Sequence, residues 1–153
     1  MVGYSGTPLS KKLGIKPGMT VLTIGAPHDY RDWLAPLPAD VTFAAKSLAG
    51  QCDVVHVFVA SLADLAEALP RARAAMKADG AIWVSWYKKA ARIPTDVTED
   101  EVRRRALSTD LVDVKVCAVT EIWSGLKLVV RRHLRQADQP ACAFTAAAKR
   151  SNR

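Results

Sequence analysis

Two apolar runs constrain this chain more than any other feature in it. Asp53-Val54-Val55-His56-Val57-Phe58-Val59 and Ala81-Ile82-Trp83-Val84-Ser85-Trp86-Tyr87 carry apolar residues at odd and even positions alike. A strand that is apolar on both faces belongs at the centre of a parallel sheet covered by helices on each side. The segment between the two runs supplies such a helix. Ser61 is placed to cap it, with Asp64 at capping-box spacing. Leu62, Leu65, Leu69, Ala72 and Met76 recur at three- and four-residue steps and make one apolar stripe. Pro70 predicts a kink or break in this helix, and Asp79-Gly80 predicts its end. Strand, helix, strand in this order predicts parallel pairing through a crossover.

The rest of the chain fits the same plan. Residues 7–14 read as a short helix, with Pro8 near the start and Gly14 at the end. Lys16-Pro17-Gly18 is a turn, and residues 20–25 are a strand stopped by Gly25 and Pro27. Residues 30–34 predict one or two helical turns, and 41–45 a short strand whose exposed edge invites self-association. Thr98 and Glu101 stand at capping-box spacing before a helix to Leu107. Residues 112–119 and 126–132 predict two last strands, joined by a short turn into an antiparallel hairpin. The expected strand order is 2, 1, 3, 4, 6, 5, with strand six antiparallel. Residues 1–133 form one α/β domain, and 134–153 form a basic tail.

Composition narrows the function classes. Half of the 153 residues are hydrophobic, enough for a continuous core, yet no apolar run approaches the roughly 20 residues that span a bilayer. The first six residues lack the basic and apolar regions of a signal peptide. Cys52, Cys117 and Cys142 are widely spaced and odd in number, which suits free thiols in a reducing, cytoplasmic setting. His28, His56 and His133 are scattered, so no metal site is expected, and His56 inside an apolar strand reads as a core histidine. The net charge of +7 is uneven: residues 131–153 hold six basic residues and one acid (+5), leaving +2 for residues 1–130. A nearly neutral body argues against nucleic-acid binding except through the tail.

Several segments carry a family resemblance. Residues 13–25, with Lys16-Pro17-Gly18 leading into the first strand, resemble the corresponding passage of class I S-adenosylmethionine-dependent methyltransferases. Met76-Lys77-Ala78-Asp79-Gly80 before a strand, and the closing hairpin, resemble them too. Gly3-Tyr4-Ser5-Gly6-Thr7-Pro8-Leu9, Lys11-Lys12-Leu13-Gly14-Ile15, Lys88-Lys89, Thr95-Asp96, residues 111–116 and Trp123-Ser124-Gly125-Leu126-Lys127 resemble an uncharacterised bacterial family of domains of unknown function. The resemblance implies a three-layer, Rossmann-like sheet, shortened and mostly parallel, and it implies no activity.

The residues themselves disfavour an ordinary cofactor site. Close approach to a cofactor after the first strand needs glycines, and here one glycine is followed by Ala26 and Pro27. No acid follows the second strand to hold a ribose; Lys46 stands there instead. The 27 residues between Gly25 and Asp53 leave room for about one strand–helix unit rather than two. Ligands of such sheets bind outside the strand carboxyl ends. The expected cofactor- or anion-binding residues are therefore Gly25, Ala26, Pro27, Ser61, Lys88 and Lys89. Tyr4, Ser5 and Thr7 form a second candidate group, and Trp123, Ser124 and Lys127 a third, each joining an aromatic, a hydroxyl and a nearby lysine. Catalytic residues cannot be assigned. The expectation is a non-catalytic binding or interaction module with an anion or nucleotide site at the sheet edge. The alternative is a small-molecule S-adenosylmethionine-dependent methyltransferase with an atypical loop.

Overall fold

The computed structural model describes residues 7–44 and 49–134. Tyr4, Ser5, Lys46, Cys142 and residues 135–153 of the expected tail lie outside the described residues. Six strands form one sheet: β1 (Thr20–Ile24), β2 (Thr42–Phe43), β3 (Cys52–Phe58), β4 (Met76–Tyr87), β5 (Leu111–Ala118) and β6 (Trp123–Val130). Their order is β2-β1-β3-β4-β6-β5, as the sequence predicts. The pairs among β2, β1, β3 and β4 are parallel, while β6 runs antiparallel to both β4 and β5.

Helices sit on both faces. Apolar residues of α3 (Leu62–Ala75) and α4 (Glu99–Leu107) pack with Val55, Val57, Ile82, Val84, Leu126 and Leu128 in an aliphatic core. The short helices α1 (Leu9–Lys12) and α2 (Tyr30–Trp33) cover the other face, against Val54, Phe58, Trp83 and Trp123. Alternation of side chains along the two-face strands β3 and β4 feeds both cores at once. The three-layer arrangement follows from that.

Trp83 ties the α1 layer to the middle of the sheet. Its side chain is fully buried, and its Nε1–H donates to the Leu13 carbonyl at 3.0 Å, just past α1. A four-residue helix is too short to hold itself together in water. The indole is therefore both the apolar floor under α1 and the partner of one of its terminal carbonyls.

Three boundaries differ from the sequence reading. First, α3 passes through Pro70 without interruption. The carbonyl four residues back, at Ala66, loses its partner, but Ala66 and Pro70 are both exposed, so that carbonyl is not desolvated and the loss is tolerated. Second, α3 ends at Ala75, and Met76 already belongs to β4, paired with Cys52. The register then shifts between Cys52 and Val54, so residues 77–80 bulge out of the ladder. Gly80 closes that bulge: a Cβ there would lie 2.8 Å from the Asp53 carbonyl oxygen. The glycine that reads as a helix stop serves a close strand contact. Third, β6 begins at Trp123, so Trp123-Ser124-Gly125 is strand rather than turn. Thr120 makes the turn, its Oγ1 accepting from the N–H groups of Ile122 and Trp123.

Replacing Trp83 by Phe retains most of the packing and removes the donor to Leu13. The unfolding free energy, read by urea denaturation, is expected to fall by about 1–3 kcal/mol. An unchanged midpoint would show that the indole N–H does not anchor α1.

Candidate functional site

The parallel strands β1, β3 and β4 bring Gly25, Ala60 and Lys88 to one edge of the sheet. This carboxyl edge, where the strand order reverses at β1, is the ligand-binding position of open α/β sheets. Gly25 leaves β1 with φ +73°, and a Cβ there would stand 2.9 Å from the Phe58 carbonyl oxygen. The steric demand on Gly25 thus comes from the protein's own β3 backbone. Ala26 packs on the aromatic core, and the Pro27 carbonyl accepts from the Tyr30 N–H at 3.1 Å.

That turn carries the Tyr30 ring beneath the loop. Tyr30 is buried, and its Oη lies 2.8 Å from His56 Nδ1. His56 Nε2 lies 2.7 Å from Ser85 Oγ. In a neutral imidazole one nitrogen donates and the other accepts, so either tautomer completes the chain Tyr30–His56–Ser85. Burial holds the His56 pKa down to about 3 and pushes the Tyr30 phenol up, so both groups are neutral. Phe58 stacks on His56 with centroids 4.3 Å apart, and Tyr30, Trp33 and Trp123 meet Phe58 edge-on. Protein rings therefore fill the space under the loop.

Ser85 and His56 have the spacing of an activated hydroxyl and its base. Both residues have no exposed surface, so no substrate atom reaches the serine in this arrangement. The pair satisfies two buried polar groups rather than presenting a nucleophile. A histidine and a serine inside two otherwise apolar central strands were the signal in the sequence; their pairing was not.

The start of α3 is also occupied by the chain itself. Ser61 Oγ accepts from the Asp64 N–H at 3.1 Å, and Asp96 Oδ1 accepts from the Leu62 N–H at 2.8 Å. Asp64 Oδ2 accepts from the Ala60 N–H at 3.2 Å. Two protein carboxylates thus stand where a helix N-terminus would otherwise receive an anion.

Two hollows flank the stacked pair Tyr87 and Trp123, whose ring centroids are 4.3 Å apart. One, of about 600 Å³, is bordered by Gly25, Pro27, Phe58, Asp64, Tyr87 and Trp123. The other, of about 800 Å³, is bordered by Tyr87, Lys88, Lys89, Arg92, Glu99 and Ser124. The edge residues Gly25 and Pro27 therefore stand on one side of Tyr87, and Lys88 and Lys89 on the other. Ser124 joins the lysines because it pairs with Trp86, which faces the α3 and α4 layer. Trp123 and Lys127 point to the opposite face, so strand alternation divides this group of three. Thr7 is exposed ahead of α1. Among the described residues no three His, Cys, Asp or Glu side chains gather as a metal site, and no helix is long and apolar enough to cross a membrane.

Comparison with known proteins follows the fold. The model of a family described as "Protein of unknown function (DUF3052)" matches residues 10–132. No curated protein matches the chain. The structure is similar to the M1A22 tRNA methyltransferase TrmK of B. subtilis, with 11% identity and a TM-score of 0.55 over 90% of this chain and 70% of that one. It is also similar to a SAM-dependent O-methyltransferase of Thermotoga maritima, with 11% identity and a TM-score of 0.54 over 81% and 64% of the two chains. For the ribosomal protein L11 methylase of Lactobacillus delbrueckii subsp. bulgaricus the values are 12%, 0.50, 81% and 76%. At these identities the likeness shows a shared, methyltransferase-like fold and no common chemistry.

Two measurements check the buried Tyr30–His56–Ser85 chain and the Gly25 turn. An unfolded histidine takes up a proton near pH 6.5, while native His56 refuses it down to about pH 3. The unfolded state therefore binds more protons between these values, and stability falls as pH falls through that window. From pH 6.5 to 5 the expected loss is about 2 kcal/mol, read as a lower urea midpoint. The slope should shrink in His56→Gln; an equal slope would mean that native His56 is charged. Gly25→Ala should lower stability by at least about 1–2 kcal/mol from its left-handed backbone alone. A melting temperature equal to that of the parent would show the loop free to lift off β3.

Proposed function

The chain belongs to DUF3052, a family of proteins of unknown function, and on its methyltransferase-like fold we propose that it is a non-catalytic binding module for a small anionic or nucleotide-like ligand at the carboxyl edge of the sheet. The observation that carries the non-catalytic half is the Tyr30 ring held by His56 under the β1 loop. Tyr30, Phe58 and Trp33 pack ring against ring beneath that loop, which disfavours a cofactor seated there. The Asp64 and Asp96 carboxylates at the start of α3 also disfavour an anion at that point. The Ser85–His56 pair, closed to solvent, supplies no reacting group.

The binding half rests on the hollow beside β4. Lys88, Lys89 and Arg92 border it, and its volume lies within the usual range for small-molecule sites. Tyr87, half-buried, also borders it. An anion there would be held by lysine ammoniums rather than by a helix N-terminus.

Isothermal titration separates the readings. S-adenosylmethionine and S-adenosylhomocysteine are expected to give no binding, and AMP to bind. In a Lys88→Ala, Lys89→Ala double variant AMP affinity should fall about tenfold, the scale of one lost charge-assisted contact. Micromolar binding of either sulfonium or homocysteine ligand would overturn the non-catalytic reading in favour of a methyltransferase with an atypical loop. AMP binding that ignores both lysines would overturn the placement of the site.

A further inference from the structure

One face of the sheet is only partly roofed. The layer above it consists of α1 and α2, each four residues long. Neither has the length to reach across to the β5 edge. Lysines from three separate segments gather on that open side.

The register brings them together. Lys127 of β6 lies opposite Trp83 on one side and Lys115 of β5 on the other, so all three side chains share the α1 face. The ladder shift between Asp113 and Lys115 is what places Lys115 there. Asp113, before the shift, points to the other face and accepts from Arg103 of α4 at 2.9 Å. Without the bulge, alternation would carry Lys115 to that opposite face. The end of α1 adds Lys12, and the following turn adds Lys16. Lys127 Nζ lies 3.9 Å from where a Cβ would stand at Gly14, between these two lysines in sequence.

Within the described residues the gathering has no ion-pair partner: no carboxylate pairs with Lys12, Lys16, Lys115 or Lys127. Like charges directly across a strand pair are destabilising, and Lys115 faces Lys127 in that way. Lys127 is half-buried; burial first, then Lys115 and Lys16, press its pKa below the ordinary lysine range. The half-buried Cys117 stands opposite Gly125 on the same strand pair; burial raises its pKa, and Lys12 and Lys115 are among the charges that oppose that shift.

We propose that this lysine cluster over β5 and β6 is a binding site for a compact, multiply charged phosphate group, such as the diphosphate of a small molecule. Lys115 and Lys127 face each other across the strand pair, and Lys127 reaches the Gly14 turn that Lys12 and Lys16 flank, an arrangement that suits a dense anion. Lysine binds phosphate as a point charge and needs no fixed fork. A nucleic-acid strand would call for a longer charged track and exposed rings for the bases. Trp123, the nearest ring on this face of β6, is buried against Tyr87 and Phe58. This site is separate from the edge hollow and does not depend on it.

The probe is inorganic pyrophosphate, followed by calorimetry and by backbone amide shifts at constant ionic strength, with sulfate as the control anion. Saturable binding with shifts at residues 12–16, 115–117 and 125–127 is expected, and sulfate should bind at least about tenfold more weakly. Lys127→Met and Lys115→Met should each weaken pyrophosphate about tenfold or more, while Arg104→Ala, on exposed α4 of the opposite face, leaves it unchanged. Both variants should melt at or above the parent temperature, because each removes a repulsion. Lys115 is exposed, so its variant tests the site even if Lys127→Met does not fold. The proposal is overturned by an absence of saturable binding, by equal affinity in both variants, or by binding of single-stranded RNA alone. Loss of AMP binding with pyrophosphate binding intact would remove the edge site and leave this one standing.

Discussion

The buried chain from Tyr30 through His56 to Ser85 decides what the rest of the molecule can be. It joins a loop helix to the two central strands with hydrogen bonds of 2.8 and 2.7 Å in a region with no access to water. Each member would be costly alone there, and each is satisfied by the next. The histidine stays neutral because charge has no solvent to stabilise it. Breaking the chain at either end would leave an unmet polar group in the core. The loop after β1 is therefore held down onto the sheet through Tyr30.

The same constraint makes the two faces unlike. On the α3 and α4 side the core is aliphatic and closed by helices of fourteen and nine residues. On the other side two four-residue helices are held by specific contacts: Trp83 to the Leu13 carbonyl, and Tyr30 to His56. Rings take up the space that longer helices would fill, in the packed sequence His56, Phe58, Trp123, Tyr87. The thin layer stops short of β5, and charged side chains are left at that border.

Much of the frame was legible in the sequence because it rests on local pattern. The central strands declared themselves by burial on both faces, and Ser61 and Thr98 by capping-box spacing; both hydroxyls do accept the N–H three residues on. The end of α3 was not legible, since Asp79-Gly80 has turn composition and the true need for Gly80 is set by a carbonyl in β3. The Ser124-Gly125 pair misled in the same way: it carries turn residues, yet its conformation is fixed by pairing with Trp86 and Ser85. His56 read correctly as a core residue, but its partners stand 26 and 29 positions away. No local rule reaches that far. The lysine cluster was hidden for a further reason, because a one-residue shift in the β5 ladder determines the face on which Lys115 lies.

That shift bears on how a fold can be kept while the side chains along its edges change. A parallel sheet concentrates ligand chemistry at its carboxyl edge because loops and helix N-termini meet there. Here Tyr30 fills one part of that edge, and Asp64 and Asp96 occupy the helix start in another. None of this disturbs the strand order, since order depends on the buried faces of β1, β3 and β4. An antiparallel pair at the far side of the sheet obeys different limits. Its register can move by one residue through a bulge, and each move exchanges the side chains offered to the two faces. In this protein the bulge sends Asp113 to Arg103 and Lys115 to Lys127. One residue inserted into one strand thus separates an ion pair that fastens α4 from a cluster of like charges that fastens nothing within the described chain.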